Sequence, residues 1–273
     1  MIPLRQALKS LAYIVKDTDA DGSEPDWIAC HVLKCGRASL ALRREITDGE
    51  FAEMEKIAVK RAKGIPLSQV LGYTEFLGMK INVNQDVLCP RPETELLAEQ
   101  GIEYLKGKKD ARALDLCTGS GCIAIALSTF SSAKVTATDI SEKALAVARE
   151  NAKEHKADVK FVLSDLFGNI EGRFDIIVSN PPYIPTADIE GLDKEVKDHE
   201  PRLALDGGED GLDIYRKISV EAGEHLKDGG LLLLECGIGQ AREIVKMLEG
   251  YDCGIIKDLQ GIERIVKAVK KSV

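Results

Sequence analysis

Apolar residues in the first 72 positions recur at the spacing of α-helices. The pattern runs through residues 4–14, 27–32 and 51–61, with one apolar face repeating every three or four residues. Residues 17–26 are acidic and contain glycine and proline, which is typical of a loop between two helices. No segment of this region has the alternation of a β-strand, so we expect a small helical bundle.

Two other patterns follow along the chain. Residues 72–83 alternate apolar and polar side chains around Gly78, which predicts a β-hairpin. From about residue 86, short apolar runs alternate with helical patterns, which favours a parallel sheet with helices on both faces. We therefore divide the chain into a helical domain at 1–72, a β-hairpin linker at 73–85 and an α/β domain at 86–273. The predicted strands of the last domain are 113–117, 135–139, 159–163, 175–179, 231–236, 253–257 and 262–269.

Composition narrows the possible partners and the compartment. The formal net charge is −8, and residues 1–85 carry +1 whereas the remainder carries −9. Such acidity argues against sequence-independent nucleic-acid binding, which requires a basic surface. Seven cysteines without a C-x-x-C pair indicate a reducing compartment, and we expect a cytoplasmic protein that binds no membrane. The acidic loop at 17–26 lacks the ligand spacing of an EF-hand, so no metal is predicted.

A glycine-rich turn follows the first predicted strand of the α/β domain. The sequence Asp115–Gly121 (DLCTGSG) leads directly into a helix, where glycines allow a ligand to approach the backbone. The next strand ends in Asp139, whose carboxylate could accept both hydroxyl groups of a ribose. The third ends in Ser164-Asp165-Leu166-Phe167, which suits an adenine. Together these features predict a nucleoside-containing cofactor, and the spacing Gly119-x-Gly121-x-x-Ala124 also satisfies the loose fingerprint of NAD sites.

The motif Asn180-Pro181-Pro182-Tyr183 follows the fourth predicted strand. The prolines restrict the backbone, so the Asn180 side-chain oxygen and the Pro181 carbonyl can act as two acceptors at fixed separation. A planar NH₂ group needs two such acceptors. These hydrogen bonds would strengthen as the nitrogen attacks a methyl sulfonium and gains positive charge. Tyr183 offers a ring for stacking against the flat acceptor group.

With these residues in view, the chain resembles the release-factor glutamine methyltransferases over nearly its whole length. The segments that carry the resemblance are PRPETE at 90–95, DLCTGSGCIA at 115–124, SNPPYI at 179–184 and EPRLALDGGEDGLD at 200–213. The resemblance implies a Rossmann-like, seven-stranded class I methyltransferase domain that binds S-adenosylmethionine, preceded by a helical substrate-recognition domain. The implied substrate is the glutamine of the Gly-Gly-Gln loop in class-1 peptide release factors, modified at its side-chain nitrogen.

The resemblance also implies roles for individual residues. The loop of Cys117, Thr118, Gly119, Ser120 and Gly121 would lie against the methionine part of the cofactor, Asp139 would bind the ribose, and Asp165 and Leu166 would contact the adenine. Asn180, Pro181, Pro182 and Tyr183 would hold the substrate amide, with Asn180, Pro181 and Tyr183 catalytic and Asn180 also touching the cofactor.

Two questions stay open at the level of sequence. Cys117 stands where these loops usually have glycine, and the substitution would be tolerated if Cys117 has a negative φ. The same acceptor geometry would also suit an enzyme that methylates amino groups of adenine or guanine in nucleic acid. We expect a monomer that acts on a release factor and makes no direct contact with nucleic acid.

Overall fold

A computed structural model describes residues 1–18 and 22–272. The predicted loop at 17–26 lies partly outside this range, because residues 19–21 are not described. The described residues form two compact units. The first contains Met1–Tyr73 together with Asp193–His199, and the second contains residues 74–192 and those from 200 onwards. No helix in the described part of the chain is long and apolar enough to cross a membrane.

The first unit is a helical bundle around one apolar core. Leu11, Ile28 and Met54 lie fully buried at its centre, each on a different helix. Thr47 begins the longest helix with a capping box, in which the Thr47 hydroxyl and the Glu50 side chain each accept a backbone N–H of the other residue. Its elements are β1 (Ile2–Pro3), α1 (Leu4–Ile14), α2 (Glu24–Leu33), α3 (Arg37–Leu42), β2 (Glu45–Ile46), α4 (Asp48–Arg61) and α5 (Leu67–Leu71).

The strands β1 and β2 form a small antiparallel sheet that the sequence did not predict. Ile2 pairs with Ile46, and Pro3 pairs with Glu45. Two residues are too few to show an alternation of apolar and polar side chains, so periodicity gives no signal for such a pair.

The β-hairpin consists of β3 (Tyr73–Phe76) and β4 (Met79–Asn82). Its turn residues Leu77 and Gly78 both have positive φ, at 49° and 74°, as the twist of a two-residue hairpin requires. From residue 74 onwards the hairpin belongs to the second unit. Its backbone is fastened there by Glu95, which accepts the Leu77 N–H, and by Asn151, which accepts the N–H of Asn82.

The second unit is built on a seven-stranded mixed sheet, which confirms the predicted α/β class I methyltransferase fold. The strand order is β10-β11-β9-β8-β5-β6-β7. The strands are β5 (Arg112–Leu116), β6 (Lys134–Asp139), β7 (Val159–Leu163), β8 (Phe174–Ser179), β9 (Leu226–Glu235), β10 (Tyr251–Lys257) and β11 (Glu263–Lys270).

Helices cover both faces of this sheet. Because successive strand residues point to opposite faces, Ala113 and Ile176 enter one core, whereas Leu114 and Ile177 enter the other. α6, α7 and α8 pack on the first core, and α10 and α11 pack on the second. The helices of this unit are α6 (Pro92–Leu105), α7 (Cys122–Phe130), α8 (Glu142–His155), α10 (Asp213–His225) and α11 (Ala241–Met247), whereas α9 (Lys194–His199) belongs to the first unit.

The sheet is parallel, as the sequence pattern predicted, except at one edge. β11 pairs antiparallel with both β9 and β10, while the other four pairings are parallel. Only a short turn joins β10 to β11, and a turn of this length can join antiparallel strands but not parallel ones.

The segment of α9 was assigned to the α/β domain from sequence, but it clusters with the helical unit. A buried guanidinium explains this difference. Arg61 is 1% exposed and forms ion pairs with Glu24 of α2 and with Glu195 of α9. Further along the segment, the Gln69 side chain donates to the carbonyl of His199 at 2.7 Å. These contacts join Asp193–His199 to a bundle that lies far away in sequence.

This buried ion-pair cluster predicts a large effect of Arg61→Ala on stability. Removing the guanidinium leaves two partly buried carboxylates side by side, which should lower the free energy of unfolding by about 3 kcal/mol. Arg43→Ala removes the more exposed pair with Glu50 and should cost about 0–1 kcal/mol. Urea unfolding followed by circular dichroism measures both. Equal losses in the two variants would show that the Arg61 pairs contribute no more than a surface pair.

Candidate active site

The candidate site lies at the carboxyl edge of the parallel strands. β5 lies between β6 and β8, and the chain passes from β5 through β6 to β7 before returning to β8 on the other side. The strand order therefore reverses at β5, and open α/β sheets bind ligands in the crevice outside the strand ends at such a point. Residues 117–121, 139–141, 164–166 and 180–183 all follow strands that end there.

The glycine loop after β5 is held by a buried carboxyl group. Asp115 Oδ2 accepts hydrogen bonds from Thr118 Oγ1 at 2.6 Å and from the Ala124 N–H at 3.2 Å. Burial raises the pKa of Asp115 to about 7. Gly121 has a φ of +83°, and a Cβ there would meet Ala148 of α8 at 3.0 Å. The loop is thus fixed from behind by Asp115 and packed closely against a helix.

Gly119, unlike Gly121, faces open space. It has a φ of +54°, and a Cβ built on it would meet no protein atom within 4 Å. Gly119 also lines a cavity at the strand ends. A backbone that borders open space at a glycine allows a ligand to approach closely.

Cys117 does not meet the condition of a negative φ, because its φ is +59°. It therefore lies in the left-handed region, where a side chain is unfavourable. Cys117 is partly exposed and lines the cavity, and desolvation together with nearby acidic groups, chiefly Asp139, raises the pKa of its thiol strongly. The residue type at position 117 does not predict its left-handed conformation, because that conformation depends on how the loop packs against Asp115.

Asp139, at the end of β6, lies beside the glycine loop and lines the cavity. Its Oδ2 accepts the Gly119 N–H at 2.9 Å, and its Oδ1 accepts the Ser141 N–H at 2.9 Å. Burial raises its pKa, whereas the backbone N–H groups of Ser141, Gly119 and Ile140 lower it. A carboxylate has about four acceptor positions, so the group can still accept a hydrogen bond from a hydroxyl of a ligand.

The predicted site residues divide into those that line the cavity and those that support it. Leu166 is buried with a φ of +46°, while the exposed Asp165 carboxylate lies 3.9 Å from Lys217. The predicted residues that line the cavity are Cys117, Gly119, Asp139, Asp165, Leu166, Asn180 and Pro182. Those outside its lining are Thr118, Ser120, Gly121, Pro181 and Tyr183.

Asn180 is held at the nitrogen end of its side-chain amide. Its Nδ2 donates a hydrogen bond to Thr94 Oγ1, the two atoms being 3.2 Å apart. Thr94 lies in α6 and is 3% exposed. Because the nitrogen is occupied, the Oδ1 end of the Asn180 amide remains available as an acceptor.

Tyr183 is fastened through its backbone. The Tyr183 carbonyl accepts a hydrogen bond from Gln240 Nε2 at 2.9 Å, and the chain passes so close that a Cβ on Gly211 would meet this carbonyl oxygen at 2.3 Å. Burial raises the pKa of the Tyr183 phenol, so the ring is neutral at physiological pH. The glycines that pack against Tyr183 leave no room for a larger side chain at their positions.

Glu200 anchors the segment that follows the Asn180–Tyr183 motif. It is buried, and its carboxylate accepts hydrogen bonds from Arg91 at 2.8 Å and from the Cys89 N–H at 3.3 Å. Pro201 and Leu203, which come next, line the cavity. The PRPETE and EPRLALDGG segments are therefore joined by an ion pair between the partly exposed Arg91 and the buried Glu200, next to a wall of the site.

Sequence reasoning missed several residues of this site. Val87, Ile140, Ile214 and Lys217 line the cavity, and no motif marked them. Glu235, in contrast, has a position that a sequence rule can recognise, because it ends β9 beside β8 and is 3% exposed. The rule that identified Asn180, a polar residue at the carboxyl end of a buried strand, could have found it.

The geometry fits a nucleoside-containing group. A cavity with an open glycine backbone, a hydrogen-bonding carboxylate and apolar walls can hold a sugar and a flat ring. In the part of the chain that the structure describes, no group of three or more His, Cys, Asp or Glu side chains could hold a metal ion.

Comparison with known proteins first defines the class. The Methyltransferase small domain family matches residues 93–193, and the PrmC N-terminal domain family matches residues 4–72. A solved methyltransferase structure from Pyrococcus furiosus superimposes with a TM-score of 0.53 at 22% identity, covering 72% of this chain and 91% of that one. The second unit is therefore a class I methyltransferase domain, and the protein is an enzyme of this class.

Curated relatives then define the family. The release factor glutamine methyltransferase of Geobacter sulfurreducens is 42% identical over 250 residues, covering 89% of this chain and 87% of the relative. That of Thermodesulfovibrio yellowstonii is 38% identical over 270 residues, covering 96% and 97%. The chain belongs to the release factor glutamine methyltransferase family.

The left-handed conformation of Cys117 generates a prediction about stability. Glycine has no steric penalty at this φ, so Cys117→Gly should be more stable than Cys117→Ala by about 1 kcal/mol. Elsewhere in a chain the alanine variant would be the more stable one. Chemical denaturation of both variants measures the difference. A more stable alanine variant would contradict a positive φ at this position.

Proposed function

We propose that this enzyme transfers a methyl group from S-adenosylmethionine to the side-chain nitrogen of the glutamine in the Gly-Gly-Gln loop of class-1 peptide release factors. The observation that carries the proposal is the Asn180 amide, whose nitrogen is bound to Thr94 so that its oxygen remains free at the edge of the cavity. Membership of the family supports the same substrate.

The cavity residues would hold the cofactor in three parts. Asp139 would accept the ribose hydroxyls, the backbone at Gly119 would border the methionine part, and Asp165 and Leu166 would contact the adenine. Cys117 lines the same wall, and Thr118, Ser120 and Gly121 support the loop from behind. When bound, S-adenosylmethionine supplies an electrophilic methyl group on a positively charged sulfur.

Asn180 and Pro181 would orient the acceptor nitrogen. An amide nitrogen is a weak nucleophile because its lone pair is delocalised into the carbonyl group. Two acceptors, Asn180 Oδ1 and the Pro181 carbonyl, would hold both N–H bonds of the glutamine and favour rehybridisation of the nitrogen. As positive charge develops, these hydrogen bonds strengthen and stabilise the transition state more than the ground state. Pro182 and the ring of Tyr183 would flank the amide group.

We assign recognition of the release factor to the helical unit at 1–72, which has its own apolar core and matches the family's N-terminal domain. The acidity of the α/β domain, which carries −9, favours a protein substrate over nucleic acid. We expect the enzyme to act as a monomer.

Replacing Asn180 tests the acceptor role directly. Asn180→Ala removes one of the two acceptors and should lower kcat by about 10²-fold or more, as for other preorganised polar groups. Asn180→Asp keeps an acceptor oxygen and should retain part of the activity. The assay is transfer of labelled methyl groups to purified release factor, with mass spectrometry to locate the methyl group.

The product distinguishes this function from methylation of nucleic acid. The methyl group should lie on the glutamine nitrogen of the Gly-Gly-Gln loop, and substitution of that glutamine in the release factor should abolish labelling. A methyl group found on adenine or guanine of added nucleic acid, with the release factor unmodified, would contradict the proposal.

Replacing Asp139 tests the cofactor site. Asp139→Ala removes a charged hydrogen-bond acceptor and should weaken S-adenosylmethionine binding by about 1–3 kcal/mol. Asp228→Ala is the matched control. This carboxylate lies near the amino end of β9, away from the carboxyl ends of the strands where the site lies, and forms an ion pair with Lys270. Titration calorimetry measures both. Unchanged affinity in a folded Asp139 variant would remove this residue from the site.

A further inference from the structure

Three polar side chains, the buried Thr94 and Glu235 and the partly buried Asn180, meet where β8, β9 and α6 come together. Ser179 pairs with Leu234 in the parallel register of β8 and β9, so Asn180 and Glu235 follow at adjacent strand ends. Thr94, in the first turn of α6, lies next to both. Glu235 is held from the other side, because the Tyr215 hydroxyl donates to its backbone carbonyl at 2.7 Å.

The hydrogen bonds of this cluster have a defined direction. Thr94 Oγ1 accepts from Asn180 Nδ2, so the single hydroxyl hydrogen of Thr94 must point elsewhere. The Glu235 carboxyl group lies beside this hydroxyl and beside the Asn180 amide, and both stabilise its ionised form. Among the described residues, Glu235 Oε2 has no hydrogen-bond partner.

We propose that Glu235 and Thr94 are positioning residues that act through Asn180: ionised Glu235 accepts the Thr94 hydroxyl hydrogen, Thr94 accepts the Asn180 N–H, and Asn180 Oδ1 is thereby directed at the substrate amide. This inference rests on the proposed function and adds to it the groups that set the orientation of the catalytic side chain.

Protonation of Glu235 would reverse this relay. A protonated carboxyl group can donate to Thr94 Oγ1, which frees the Thr94 hydroxyl hydrogen to donate to the Asn180 oxygen. The Asn180 amide would then be favoured in the flipped orientation, with its N–H groups where the substrate needs an acceptor. Turnover should therefore depend on the ionised form of Glu235.

The groups around Glu235 bring its pKa into the physiological pH range. Burial raises the pKa of Glu235 to about 7, against the lowering effect of the Thr94 hydroxyl. The charge of Glu93 on α6 raises this pKa further, and the guanidinium of Arg264 on β11 lowers it. Glu235 also interacts with Tyr183, Tyr215, Cys122 and Cys236, and all four are neutral at this pH because burial raises their pKa values.

The test is the pH dependence of kcat in the full-length enzyme, with saturating S-adenosylmethionine and release factor. For the parent enzyme, kcat should rise with pH through an ionisation near 7, since the productive form has Glu235 deprotonated. Glu235→Gln keeps an acceptor for the Thr94 hydroxyl but cannot ionise, so this rise should disappear. Asp115 has a similar pKa but is the same in both proteins, so the comparison isolates Glu235.

Glu93→Gln serves as the matched electrostatic variant. It removes a nearby negative charge without touching the relay, so the ionisation should move to lower pH while the plateau of kcat is kept. Thr94→Val should lower kcat by about 10-fold to 100-fold by releasing the Asn180 amide, and Thr94→Ser should restore it. The dissociation constant for S-adenosylmethionine, measured by calorimetry, should stay close to that of the parent in all these variants.

Two results would overturn the relay. One is a pH profile of Glu235→Gln that retains the parent's ionisation. The other is a kcat of Thr94→Val equal to that of Thr94→Ser in variants that bind the cofactor normally. Failure of the proposed function itself would look different, because the parent enzyme would then not methylate the release factor at any pH.

Discussion

The parallel pairing of β8 with β5 on one side and β9 on the other is the constraint on which the site depends. It brings the ends of three strands to one edge, so that the glycine loop, Asn180 and Glu235 lie together although they are far apart in sequence. Parallel strands need helical crossovers, and those crossovers bury both faces of the sheet. Polar groups at the strand ends are consequently shielded from water and must find partners within the protein.

Buried carboxyl groups organise this edge. Asp115 holds the glycine loop, Asp139 joins that loop to the start of α8, and Glu235 lies beside Asn180. Burial raises the pKa of each, because the ionised form loses its hydration. The hydrogen bonds that these groups accept keep the loop and the Asn180 amide in fixed positions, which is how a site built from flexible polar residues becomes preorganised.

The sequence predicted the sheet well and the site in part. Strands such as β5 and β8 are runs of buried apolar residues, so composition and length reveal them. Asn180 and Asp139 could be predicted because they end such strands. The φ of Cys117, the contact of Thr94 with Asn180 and the pairing of Arg61 with Glu195 depend on tertiary contacts between distant segments, and local pattern carries no information about them.

The central claim is that the Asn180 amide offers its oxygen to the substrate because its nitrogen is held within the protein. A high-resolution crystal structure with a Gly-Gly-Gln peptide and the demethylated cofactor product tests it directly. The glutamine nitrogen should lie at about 2.7–3.2 Å from both Asn180 Oδ1 and the Pro181 carbonyl oxygen. A glutamine whose nitrogen contacts neither oxygen, or whose carbonyl accepts from Asn180 Nδ2, would contradict it.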